Sequence, residues 1–264
     1  MGEALRIAKT EVWAVWRAIV LQMRETAQVW TATVVSVIQP VVLLAVVSQS
    51  SAHLGPERTT EIVFGVVMIA LWSSTLWGAG TLLRREAAQG TLASLLTRPV
   101  SLLSVLLGKT LGVAAAGFVR TLVAVAIAVP VLGLHPRLPQ PSAAVLVIVA
   151  AVVSAAAMGL VLSCVVFLSR AGLRIIEALG YPVFVLGGIV IPPDMLAPAL
   201  SWPAQAVSLH HVAGLLQDAS HGRAPAFVHL AGVLLLTTLY LAGGVWAFNA
   251  VLRRGRARGT LELA

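Results

Sequence analysis

The chain is poor in charge, in acids above all, and it has a single cysteine. Of 264 residues, 11% are Asp, Glu, Lys or Arg and 59% are hydrophobic, and the mean hydropathy is +0.95. A soluble domain of this size needs far more charge to cover its surface, so the composition excludes one and indicates an integral membrane protein. Only ten residues are acidic, and they show no paired spacing. That excludes the membrane-embedded prenyl and phosphatidyl transferases, which need carboxylates to hold metal and diphosphate. Cys164 has no second cysteine to pair with, so neither an intramolecular disulfide nor a cysteine-rich metal site is available. Within its apolar run it reads as a small buried hydrophobe. A phosphate-binding loop is missing too. Gly108-Lys109-Thr110 resembles the end of one, but Leu103 stands where its first glycine belongs, and the segment opens an apolar helix instead of following a strand. No catalytic residue is assigned, and the chain is not expected to hydrolyse nucleotide.

What is present is a series of apolar stretches. A spanning helix takes about 20 apolar residues, and six fit: 29–48, 61–83, 102–134, 143–168, 175–191 and 227–252. Pro40 predicts a kink in the first, and the third is longer than a bilayer needs. Residues 1–26 form an amphipathic helix, with Leu5, Ala8, Val12, Val15, Ile19 and Met23 as its apolar stripe. It is expected to lie in the inner interface, with Trp13, Trp16 and Trp30 near headgroup depth. Arg17 and Arg24 interrupt any signal-peptide core. Residues 192–225 are too broken by Pro192, Pro193, Pro198, Pro203 and Pro225 to span and too apolar for a free loop. Two short helices dipping into the outer leaflet fit best. The fold class is therefore an all-α integral membrane protein in one domain, residues 1–264.

Charge sets the topology. The net charge is +8, and outside the spans the basic residues fall into alternate connectors. Arg84, Arg85, Arg98, Arg170, Arg174, Arg253 and Arg254 lie on one side with those of the N-terminal helix. Only Arg58, Arg137 and Arg223 lie on the other. By the positive-inside pattern both termini face the cytoplasm, in a multi-pass protein of the inner, cytoplasmic membrane. The tail Arg253-Arg254-Gly255-Arg256-Ala257-Arg258-Gly259 reads as a membrane anchor and not as a nucleic-acid contact.

Between the second and third stretches lies a charged amphipathic segment, residues 84–99. Ala88, Leu92, Leu95 and Leu96 share one face at helical spacing, while Arg85, Glu86 and Gln89 point elsewhere. Gly90 loosens the middle, Pro99 stops the helix, and Ser101 is placed to cap the next one. A connector needs only a few polar residues, so a helix here either spaces two spans or offers a face to something in the cytosol.

This segment resembles the signature of the ABC-type-2 export permeases, in which an acid precedes Gly-Thr-Leu, a Leu-Leu pair, a Pro and a Ser. Here these are Glu86, Gly90-Thr91-Leu92, Leu95-Leu96, Pro99 and Ser101. Ala93 departs from the pattern, since many members carry an acid there, and one polar contact to a partner goes with it. The resemblance implies that 84–99 is a coupling helix docking into a separate cytosolic ATPase, with Arg85, Glu86, Gln89, Gly90, Thr91, Leu92, Leu95 and Leu96 as contact residues. Glu86 would then present its charge to the ATPase from a water-facing position, and Gly90 would allow close backbone approach. It also implies an external helical hairpin over 192–225. Two ATPase copies would carry ATP and Mg, with no cofactor on this chain. A second permease copy, identical or a sister, would complete the path. The function implied is ATP-driven export of an amphipathic drug-like or lipid-like substrate, as in multidrug efflux. Export of a lipid-linked polysaccharide is the alternative, and a non-transporting scaffold or immunity protein is the competitor from another class.

Four further features stand out. Arg120 lies inside a span, where charge is costly and marks either snorkelling or a substrate path that meets an anionic headgroup. Glu177 is placed to pair with Arg174. His210, His211, His221 and His229 gather around the outer stretch without helical metal-ligand spacing, so no metal site is assigned. The pairs Gly108/Gly112 and Gly187/Gly188 allow close helix contact within or between subunits.

Overall fold

The computed structural model describes residues 2–50, 56–91, 100–137, 140–187 and 198–258. All regular structure among them is helical. In chain order the helices are α1 (Gly2–Gln28), α2 (Trp30–Ser50), α3 (Pro56–Gly78), α4 (Leu82–Ala88), α5 (Leu102–Val131), α6 (Pro141–Leu168), α7 (Gly172–Leu186), α8 (Pro198–Gln205), α9 (Ser208–Ser220) and α10 (Phe227–Arg258). Among the described residues four helical segments are long and apolar enough to cross a membrane: Thr59–Ala88, Leu102–Val131, Pro141–Leu168 and Phe227–Arg254. The other two expected spans are represented by a shorter apolar helix, Ser36–Gln49 in α2, and by the 15 residues of α7. The chain is a multi-pass membrane protein.

Local chemistry sets the helix ends. Pro141 opens α6, where its missing N–H is no loss. The third span was expected to reach residue 134 but stops at Val131, because Gly133 turns into the left-handed region at φ +65°. From Pro141 to Leu168 there is no charged residue, so α6 is apolar all round, as a helix shielded from water must be. Its buried face carries Val147, Ala151, Ala155 and Leu162, which share one core with Met68, Leu71 and Trp72 of α3 and Leu215 of α9. By contrast α10 turns Leu234, Leu235, Leu239 and Trp246 outward.

Glycines decide how closely the helices approach. A Cβ on Gly159 would lie 2.7 Å from Ala79, and one on Gly117 would lie 2.2 Å from the Ser74 hydroxyl. The Gly108/Gly112 pair serves contact inside the chain. It receives α1, with Val15 carbonyl oxygen 2.5 Å from a Cβ built on Gly108 and Ile19 carbonyl oxygen 2.8 Å from one on Gly112. Thus α1 packs lengthwise on α5, burying Ala18 and Gln22 and leaving Val12 of the expected apolar stripe 70% exposed. Small side chains and glycines fit where larger ones would hold the backbones apart.

At the end of the bundle away from α4, Thr60 ties the turn after α5 to α3. Its hydroxyl donates to Arg137 carbonyl and accepts from Arg137 N–H, both at 2.9 Å. Gln140 donates to Gly222 carbonyl at 2.8 Å, and His221 lies 3.8 Å from Glu61.

Candidate functional site

The segment expected to be one helix over 84–99 is divided at Gly90. Helix α4 begins earlier, at Leu82, and ends at Ala88; its buried residues are Leu82, Leu83 and Glu86. Gly90 follows at φ +69°, a left-handed turn that glycine adopts without a Cβ clash. Arg85 and Gln89 are exposed, Thr91 is half-buried, and Leu92, Leu95 and Leu96 lie outside the described residues.

Glu86 corrects the sequence reading most directly. It does not face water; it is only 6% exposed. One carboxylate oxygen accepts from Lys109 Nζ of α5, and the other accepts from the Thr91 hydroxyl at 2.6 Å. That hydroxyl also reaches Glu86 carbonyl oxygen at 3.0 Å. Lys109 is equally buried and lies 3.7 Å from Glu25 of α1. The physical reason is pairing. A buried charge is tolerated when its partner and remaining lone pairs are satisfied, and α5 supplies a lysine at the height where α4 supplies its acid. The network therefore joins α1, α4, α5 and the first residue after the Gly90 turn. Ser101 also departs from expectation. It stands at the N-cap of α5 without a side-chain cap bond, while its N–H donates to Glu11 of α1 at 3.1 Å.

Beside the network opens a cleft of about 590 Å³, walled by the end of α1, by α2, α3, α4 and by α5. Its lining includes Glu25, Arg85, Glu86 and Gln89 together with Gln22, Gln39, Ser73, Trp77 and Arg120. Gln39 donates to the Ser73 hydroxyl at 3.3 Å, and Arg85 donates to Gly78 carbonyl at 2.6 Å. Arg120 donates to Thr26 carbonyl at 3.3 Å. A cation at the end of α1 is favoured by the helix dipole.

The structure gathers three of the four histidines singled out in the sequence. The rings of His210, His211 and His229 lie 5.4 to 6.4 Å apart, whereas His221 turns to Glu61 and Gln217. His211 packs on Gly232 and His229 packs on Gly214, each ring filling the space of the other helix's missing Cβ. Among the described residues no group of His, Cys, Asp or Glu is arranged to hold a metal ion. Burial, then the neighbouring histidines, push the His210 imidazole below its ordinary value. Burial does the same for His211, although its bond to Gln205 carbonyl opposes the shift. Arg174 and Glu177 are both exposed, and among the described residues no ion pair joins them. The His–Gly packing between α9 and α10 escaped the sequence reading. The only signal for it was that Gly214 and Gly232 each stand three residues after a histidine.

The sequence model of the ABC-2 type transporter family matches residues 10–219. This range includes the Glu86–Lys109 network and the cleft, and the chain belongs to that family. It is a membrane component of a transporter, not the catalytic part, in a family that normally works with an ATPase partner. A comparison with curated proteins finds no match.

Proposed function

We propose that this chain is the permease subunit of an ATP-driven exporter. The observation that carries the reading is the buried Glu86–Lys109 pair with Thr91 and Glu25. It attaches the start of the coupling segment to two long helices at once, so a push on that segment reaches α1 and α5. In this reading residues 84–99 dock on a cytosolic ATPase dimer that binds ATP and Mg, with Leu92, Leu95 and Leu96 among the contacts. The chain crosses the inner membrane six times with both termini in the cytoplasm, and α8 and α9 form a hairpin on the outer face. Two permease copies assemble, and in this reading the second bundle closes the partly enclosed cleft beside Arg120. The substrate is an amphipathic drug-like or lipid-like molecule, which suits a cleft with both polar and apolar walls.

The test is co-purification of the chain with its ATPase, followed by ATP hydrolysis with and without the permease. The permease alone should hydrolyse no ATP, and its presence should stimulate or stabilise the ATPase. Hydrolysis by the purified chain alone, or undiminished stimulation of the ATPase by a permease bearing Leu92→Asp and Leu96→Asp, overturns the reading.

A further inference from the structure

We infer that the cleft beside Arg120 binds the acidic head of an anionic amphiphile, a carboxylate or phosphate on an apolar tail. The inference rests on the exporter reading for its purpose, but not for its chemistry. Arg120 lies about 16 Å of helix from Lys109 and about 16 Å from Val131, close to mid-depth of a hydrocarbon core about 30 Å thick. A guanidinium there is costly unless paired or solvated. Among the described residues no carboxylate pairs with it. The two acids on the cleft, Glu25 and Glu86, are both engaged by Lys109. Thr26 carbonyl takes one N–H of Arg120, and Nε is buried with no partner. An arginine has five N–H donors in a planar fork, so capping α1 leaves most of its capacity unused.

The cleft supplies the rest of the ligand's outline. At about 590 Å³ it falls in the range of pockets that enclose a drug-sized molecule. Gln22 and Gln39 contribute neutral amides to the same lining, while Ala70, Trp77 and Val113 contribute apolar wall. An acidic head would meet the fork through two parallel hydrogen bonds, the strongest arrangement open to it. The tail would lie against the apolar wall toward the open side. A cationic amphiphile finds no free carboxylate there, and an uncharged one leaves Nε unpaired.

The experiment uses the full chain with its ATPase in neutral-lipid nanodiscs, without nucleotide. Gln28→Cys, exposed on the cleft rim, carries an environment-sensitive dye, because Cys164 is buried. The probes are dodecyl phosphate, laurate, dodecyltrimethylammonium and inorganic phosphate. Dodecyl phosphate and laurate should give saturable signals, and the cationic amphiphile and inorganic phosphate should not. Arg120→Gln should raise the half-saturating concentration of both anions at least about tenfold, the loss of a charge-assisted bond. Arg120→Lys, which keeps charge and reach to Thr26 but not the fork, should fall between. Equal binding to Arg120→Gln or equal binding of the cationic probe overturns the inference. Saturation by inorganic phosphate alone overturns the amphiphile assignment. Saturable anion binding with no effect of the permease on ATP hydrolysis leaves this inference standing and removes the exporter reading.

Discussion

Glu86 of α4 and Lys109 of α5 form an ion pair in which both side chains are less than 10% exposed. Two buried charges twenty-three positions apart in sequence hold α4 and the turn after it against the packed pair α1 and α5. Breaking such a pair from one side strands the other charge, which costs about 3–5 kcal/mol.

Glu86→Lys should therefore reduce the amount of folded protein, because it sets two ammonium groups together away from water. Lys109→Glu alone should do the same beside Glu25. The double exchange Glu86→Lys/Lys109→Glu should recover much of the loss. Membrane abundance and thermal unfolding of the four proteins check this. A Glu86→Lys protein as abundant and stable as the wild type would contradict the buried pairing.

Gly90 should be sensitive to any side chain, whatever its size. Its φ is +69° and a Cβ there would meet nothing within 4 Å, so the penalty is conformational, about 1–2 kcal/mol. Gly90→Ala and Gly90→Trp should lose similar stability, and Gly90→Asn less, because Asn tolerates this region better. An additional loss of ATPase coupling confined to Gly90→Trp would locate a docking surface at this turn.

The Gly108→Ala substitution should loosen α1. The new Cβ would lie 2.5 Å from Val15 carbonyl oxygen and 2.6 Å from Ala18 Cβ, and backbone gives way less readily than a long side chain. Overpacking of this kind costs about 1–3 kcal/mol. Hydrogen exchange should rise in residues 10–26, while the α6–α10 contact stays protected.

The histidine cluster should make the α9–α10 contact acid-sensitive. His210 and His211 are held below the ordinary imidazole value of 6.5, so at low pH the unfolded chain takes up protons that the folded cluster resists. Their contribution is fully present above pH 6.5 and is lost as pH falls through the lowered values. His229 faces both rings across the contact, and Gln205 carbonyl is the acceptor on α8. The thermal midpoint should drop between pH 7.5 and pH 5. In His210→Gln that drop should shrink, because one titrating group is gone. An equal drop in both proteins would place the acid sensitivity elsewhere.

The all-helical membrane class and the family were legible from composition and from the motif running from Glu86 to Ser101. Apolar length and charge asymmetry are properties of a segment, and they survive without knowledge of its neighbours. Arg120 was legible as an anomaly for the same reason. The burial of Glu86 was not legible. A glutamate following two arginines in a connector reads as solvated, and nothing local to it announces that Lys109 will arrive at the same height. Gly90 was read as a weak point inside a helix, because helical spacing continues across it and only the backbone angle reveals the break. The three-histidine contact was hidden because His229 belongs to a different helix, and ring packing on Gly214 and Gly232 depends on how α9 and α10 cross.

The sequence by itself determined that this chain is a bundle of apolar helices with a charged segment between two of them. Transfer of apolar side chains from water and the pairing of backbone groups within each helix are local requirements. Only the tertiary structure decided which charges are paired, which glycines receive another backbone, and which arginine is left facing a cleft. Those depend on close approach between helices, where a missing Cβ or a single salt bridge sets distances that no stretch of sequence contains.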